Sequence, residues 1–117
     1  MSWLGKRIKS FGFAFKGIWF LFRFTPNALI HLLAVAVVVV AGILFGVSPL
    51  EWCALILCMG SVIAAEAVNS ALESLADKVS PEKDPLIGRA KDLGAGAVLI
   101  LALMSVAVAC FVFIPKF

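Results

Sequence analysis

Hydrophobic positions along the chain fall into four blocks separated by short polar breaks. Within residues 1–24, Trp3, Leu4, Ile8, Phe11, Phe15, Ile18 and Trp19 recur at spacings of three and four, and Lys6, Arg7, Lys9, Lys16 and Arg23 fill many positions between them. Such spacing gathers side chains on one face of a helix. An aromatic face with basic flanks describes an amphipathic helix lying in the headgroup plane of a membrane. Thr25-Pro26-Asn27 breaks this helix and starts the next, with Pro26 suited to a first turn and Thr25 to an N-cap. An apolar run then covers residues 28–46, interrupted only by His31. Gly46-Val47-Ser48-Pro49 reads as a tight connection. A second run covers 50–72 and continues as a polar helical extension to about residue 78. Residues 79–90 hold two prolines and mixed charge, so they read as a loop, and a third apolar run covers 93–114. Each run, with its flank, approaches the roughly 20 residues needed to cross a bilayer.

Composition moves this pattern firmly into lipid. The 117 residues suffice for one domain, and 63% of them are hydrophobic, against about 45–50% in soluble domains. A protein this small cannot hide that surface in its own core. The expected fold is an all-α membrane protein in which residues 1–117 form a single domain: a surface helix followed by three transmembrane helices. No cleavable signal peptide is evident, because aromatics interleave with the N-terminal basic residues. Cys53, Cys58 and Cys110 lie in apolar runs and read as free thiols packed as small hydrophobes. The net charge of +3 is modest. Its basic residues gather before the first span, which points to a membrane surface and not to nucleic acid. The first connection carries one acid, Glu51, and no basic residue, whereas Lys78, Lys83, Arg89 and Lys91 surround the second. The positive-inside rule therefore places the N-terminus and the second loop in the cytoplasm and the C-terminus outside, with Lys116 in mild opposition.

The candidate chemistry lies where the second run turns polar. Glu66, Asn69, Glu73 and Asp77 follow i, i+3, i+7, i+11 and share a helical face. Glu66 lies about 22 Å along the span from its outer end, still at the inner edge of the hydrocarbon, while Glu73 and Asp77 reach the headgroup zone. An ionisable residue in a span defaults to a functional hypothesis. Lys91-Asp92 open the third span on the same side. Acids, an amide and a lysine at one interface are the set that phosphoryl transfer needs. One carboxylate can hold a divalent metal on nucleotide phosphates, a lysine can neutralise charge, and a partly desolvated second carboxylate can take a proton from an alcohol. The sequence holds no Walker A motif. Gly94-Ala95-Gly96 reads as a close-packing patch, His31 as a hydrogen-bonding residue, and Trp3, Trp19 and Trp52 as interface anchors. A proton-coupled carrier built on Glu66 is the competing class, but it would not need Lys91-Asp92.

The stretch Ala65-Glu66-Ala67-Val68-Asn69-Ser70-Ala71-Leu72-Glu73, then Asp77, Ala90-Lys91-Asp92 and Ala95-Gly96-Ala97-Val98-Leu99-Ile100 resembles the small prokaryotic diacylglycerol kinase and undecaprenol kinase family. Lys16-Gly17 and the segment from Asn27 to His31 extend the resemblance over nearly the whole chain. It implies a homotrimer in the bacterial cytoplasmic (inner) membrane, with active sites between subunits and magnesium-bound ATP as phosphate donor to a lipid alcohol. By position, Glu66 resembles the catalytic base and Glu73 a metal-binding glutamate. Asn69, Lys91 and Asp92 resemble ATP contacts, as do Glu82-Lys83-Asp84 in the loop and Lys6 in the surface helix. The family's second metal-binding glutamate is replaced here by Thr25, which opens the alternative of a kinase-like subunit with impaired activity. Asp84 stands where relatives often carry histidine. The local cues for diacylglycerol and for undecaprenol conflict, so the resemblance leaves the substrate open.

Overall fold

A computed structural model of the chain describes residues 2–117. Four helices follow one another: α1 (Trp3–Phe24), α2 (Pro26–Phe45), α3 (Pro49–Val79) and α4 (Pro85–Phe113), the last running into a 3₁₀ turn at Ile114–Lys116. Three of them, Pro26–Phe45, Pro49–Val79 and Pro85–Lys116 (α4 with its 3₁₀ turn), are long and apolar enough to cross a membrane. Only 11%, 22% and 11% of their most apolar windows are buried within the chain, so the rest of that surface must be met by lipid or by other protein.

Each junction is made by a local device. Thr25 joins α1 to α2 in extended conformation. It occupies the N-cap position, but its side chain makes no capping hydrogen bond. Its hydroxyl lies 3.3 Å from that of Ser70 on α3 instead. Pro26 supplies the first turn of α2, where its missing N–H costs nothing. Gly46 ends α2 in the left-handed region at φ 62°. Ile43 and Gly42 carbonyls accept from the Gly46 and Val47 N–H groups there, the geometry for which glycine is favoured. Ser48 and Glu51 then form a reciprocal capping box at the start of α3.

The third junction differs from the sequence expectation. Residues 85–90, read as loop, are helical, and only Ser80–Asp84 connect α3 to α4. Asp84 is the reason: its Oδ1 accepts from the N–H groups of Leu86 at 2.8 Å and Ile87 at 3.3 Å. Pro85 follows as a first-turn residue. The proline starts a helix here and does not break one.

α3 packs along α4 and against α2. At the end away from the polar face, Val47, Leu55 and Val112 form a buried cluster, flanked by Val38, Trp52, Met59, Val108 and Phe113. Phe45 packs edge-on against Phe113 and Phe117. Lys116 Nζ reaches both carboxylate oxygens of Glu51 at 3.1 Å, tying the C-terminal turn to the start of α3. Trp52, expected as an interface anchor, is half-buried and packs over Gly42. A Cβ at Gly42 would overlap its indole ring. All three cysteines are free thiols.

Gly42→Ala is expected to cost about 1–3 kcal/mol through overpacking against Trp52. Gly60→Ala, where a Cβ meets open space, should leave the melting temperature unchanged or raise it. Thermal unfolding in detergent, followed by circular dichroism, compares the two.

Candidate functional site

The polar face of α3 runs from buried to exposed. Glu66 is 3% exposed and Asn69 6%, while Glu73 and Asp77 stand open. This gradient follows the sequence directly, because apolar neighbours give way to Ser74, Asp77 and Lys78 as the helix leaves the packed region. Three paired units lie along the face.

The deepest unit joins α2 to α3. Glu66 Oε2 lies 3.7 Å from Nε2 of His31, a side chain about one-fifth exposed. The spacing of the two residues in sequence gives no hint of this pairing.

The middle unit centres on Asn69. Its Nδ2 donates to Glu73 Oε1 at 3.4 Å, an i,i+4 contact along one helix face. Its Oδ1 is buried without a hydrogen-bond partner and presses against Gly94 of α4, where an added Cβ would overlap that oxygen. The sequence reading gave Gly94 and Gly96 one shared packing role. The structure separates them: Gly94 makes room for the Asn69 amide, and Gly96 faces open space.

The outermost unit is an ion pair between Lys91 Nζ, near the start of α4, and Asp77 Oδ1. Lys91 precedes the apolar run of α4. Its hydrogen bond to Asp77 raises its pKa above the ordinary lysine value, with smaller contributions from the Asp77 and Glu73 charges and opposition from desolvation. The ammonium is therefore kept charged. Asp92 follows it, exposed to solvent.

Beside Lys91 the Ser80–Asp84 connection encloses a cleft of about 460 Å³. Glu82, Lys83, Asp84 and Lys91 all line it, so the loop residues expected at the nucleotide do come together with the lysine. Asp84 has a second task as the cap of α4, which occupies one of its oxygens. Lys6 stands apart. Its carbonyl accepts from Ser10 and its N–H donates to the Ser2 carbonyl, and among the described residues no hydrogen bond or ion pair joins it to the cluster. Thr25 reaches α3 through Ser70, which lies one turn from both Glu66 and Glu73 on the same helix.

The same geometry tests the expected metal. Among the described residues no three His, Cys, Asp or Glu side chains converge as a closed site. A magnesium carried on nucleotide phosphates needs only one or two protein carboxylates. Glu73 fits that smaller demand: it is exposed, Asn69 holds one of its oxygens, and among the described residues no hydrogen bond or ion pair takes the other.

The sequence matches the family described as prokaryotic diacylglycerol kinase over residues 12–113. The chain belongs to that family. It is 34% identical over 113 residues to the undecaprenol kinase of Bacillus subtilis (strain 168), covering 97% of this chain and 92% of that one. It is 35% identical over 84 residues to a diacylglycerol kinase of Sinorhizobium sp, covering 72% of this chain and 61% of the relative. The diacylglycerol kinase of Escherichia coli (strain K12) matches a shorter stretch, 43% identical over 49 residues, or 42% of this chain and 40% of that one. The chain is accordingly a lipid kinase of the membrane, and its paired polar face is the candidate for the catalytic work.

Gly94→Ala should displace the Asn69 amide and lower lipid-kinase turnover by about 10- to 100-fold, the scale of a catalytic group moved by an ångström. Gly96→Ala should stay within about twofold of the parent, since its added methyl meets open space. Steady-state turnover of both variants, normalised to folded protein, makes the comparison.

Proposed function

We propose that the chain transfers the γ-phosphoryl group of ATP to a membrane lipid alcohol, converting undecaprenol to undecaprenyl phosphate or diacylglycerol to phosphatidic acid. The observation that carries this reading is the separation of two carboxylates on one helix face. Glu66 is 3% exposed. Glu73 stands open two turns later, about 10 Å along the axis. The buried one suits proton removal from an alcohol emerging from lipid, and the open one suits a phosphate-bound cation.

In this reading Glu66 accepts the hydroxyl proton as the lipid oxygen bonds to the γ-phosphorus. The bond from that phosphorus to the β-bridging oxygen breaks, and ADP leaves. Glu73 would hold Mg²⁺, which neutralises charge on the phosphates when bound. Asn69 fixes the Glu73 carboxylate. Lys91, kept cationic by Asp77, faces the transferring charge, with Asp92 beside it. Glu82, Lys83 and Asp84 line the cleft for the nucleotide, and Lys6 adds a basic contact from α1. α1 lies in the headgroup plane, the N-terminus and the α3–α4 connection face the cytoplasm, and the C-terminus lies outside the bacterial inner membrane. Three copies assemble as a homotrimer, consistent with the small fraction of each span buried within one chain. Undecaprenol is the favoured acceptor, because the similarity to the undecaprenol kinase of Bacillus subtilis (strain 168) extends over 97% of the chain.

A second reading, a subunit of reduced activity, draws on Thr25. Its hydroxyl faces Ser70, and a hydroxyl is a poor ligand for a hard dication compared with a carboxylate.

Purified protein in bilayers should label undecaprenol from ATP faster than diacylglycerol. Glu66→Gln is expected to lower turnover by about 10²- to 10⁴-fold, the usual contribution of a general base. Labelling of neither lipid rules the kinase reading out, and full activity in both Glu66→Gln and Glu73→Gln rules out the roles given to these two carboxylates. Thr25→Glu should lower the Mg²⁺ concentration needed for half-maximal rate. An unchanged Mg²⁺ dependence would mean that position 25 takes no part in holding the metal.

A further inference from the structure

We infer that His31 is a positioning residue for Glu66, steering the carboxylate that takes the proton from the lipid alcohol. The inference rests on the kinase reading above and adds to it a side chain from a different helix.

Glu66 needs such a partner. A buried carboxylate surrounded by apolar side chains is costly unless something polar meets it. His31 Nε2 lies 3.7 Å from Glu66 Oε2, and it is the only ion-pair partner of that carboxylate among the described residues. The other ion pairs are elsewhere, with Lys91–Asp77 on the exposed part of α3 and Lys116–Glu51 at the opposite end.

The walls around the pair offer nothing equivalent. His31 lines an apolar cleft of about 220 Å³ between α2, α3 and α4. There α4 contributes Ala102, Ser105, Val106 and Ala109, and Cys58 is the only other titratable group in the lining. The Ser105 hydroxyl is already committed to the Leu101 carbonyl at 2.8 Å. On the α1 side, the cleft against α3 has no ionisable residue in its lining; its polar groups are the hydroxyls of Thr25, Ser70 and Ser74, of which Thr25 and Ser70 meet each other. Along α3 itself, Asn69 is turned to Glu73 and Gly94.

The distance fits steering better than locking. At 3.7 Å the pair lies beyond hydrogen-bond length, so His31 does not lock the Glu66 oxygen that it faces. In this reading one oxygen takes the alcohol proton while the imidazole beside the other sets the side of approach. Catalytic contacts of this sort tighten when the reactants arrive. The alcohol proton ends on Glu66 and the phosphoryl group on the lipid oxygen; His31 neither gains nor loses a covalent bond.

Steady-state kinetics of wild type, His31→Leu, His31→Gln, Glu66→Gln and the double variant His31→Leu/Glu66→Gln test this, with melting temperature followed for each. His31→Leu should lower kcat by about 10-fold or more while KM for ATP stays within about twofold, the signature of a group that acts in the transition state and not in binding. His31→Gln, which keeps an N–H donor at similar reach, should recover most of that loss. In the Glu66→Gln background, removing His31 should lower the residual rate no further, since residues acting as a unit are non-additive. An active wild type that depends on Glu66 but tolerates His31→Leu overturns the His31 role alone. So do losses that multiply in the double variant, or a His31→Leu defect matched by a fall in melting temperature that His31→Gln shares. A wild type without lipid-kinase activity overturns the kinase reading and the His31 role with it, and a fully active Glu66→Gln overturns Glu66 as the base and the His31 role with it.

Discussion

A peptide group stranded in hydrocarbon without a hydrogen-bond partner costs on the order of several kcal/mol. That constraint shapes the chain from end to end. It demands uninterrupted helices across the membrane-length segments, and it pushes every turn into a short connection that satisfies its own backbone. Ser48 with Glu51, Gly46 in its left-handed conformation, and Asp84 ahead of Pro85 are three answers to the same demand. Because the connections are short, α2, α3 and α4 are neighbours, and residues distant in sequence meet across them.

The polar face of α3 becomes possible once the backbone is settled. α3 has 31 residues, about 46 Å of helix at 1.5 Å per residue, well beyond a hydrocarbon layer of about 30 Å. One rigid element therefore carries carboxylates from an apolar setting to an open one without any hinge. Burial changes along it from Glu66 to Glu73, and with burial changes the chemistry each acid can do. The partners come from elsewhere: His31 from α2, Gly94 and Lys91 from α4. Close approach of α4 is as much a part of the arrangement as any charged group, since the Asn69 amide fits only where Gly94 has no side chain.

The sequence exposed the elements whose cause is local and repetitive. Apolar runs of bilayer length announce membrane-crossing helices because lipid imposes one length on all of them, and Glu66, Asn69 and Glu73 announce a shared face through helical periodicity. It misled where one residue type has two meanings. Pro85 reads as a breaker until Asp84 is recognised as the cap before it, and Thr25 reads as a cap although its hydroxyl goes to Ser70. It was silent on contacts set by how helices pack. The pairing of His31 with Glu66, the fit of Asn69 against Gly94 and the stacking of Trp52 over Gly42 depend on rotation and depth between helices, which no single-helix pattern encodes.

The Glu51–Lys116 contact bears on the charge that the far end of the chain shows to a bilayer. A lone cation at the far terminus competes with the basic N-terminal segment in deciding which side faces the cytoplasm. Here both carboxylate oxygens of Glu51 embrace the ammonium, so in the folded state that end presents a neutral couple to the membrane field. Acidic residues weigh little in that rule, so Glu51 does not alter how Lys116 counts during insertion; it neutralises the ammonium once the chain has folded.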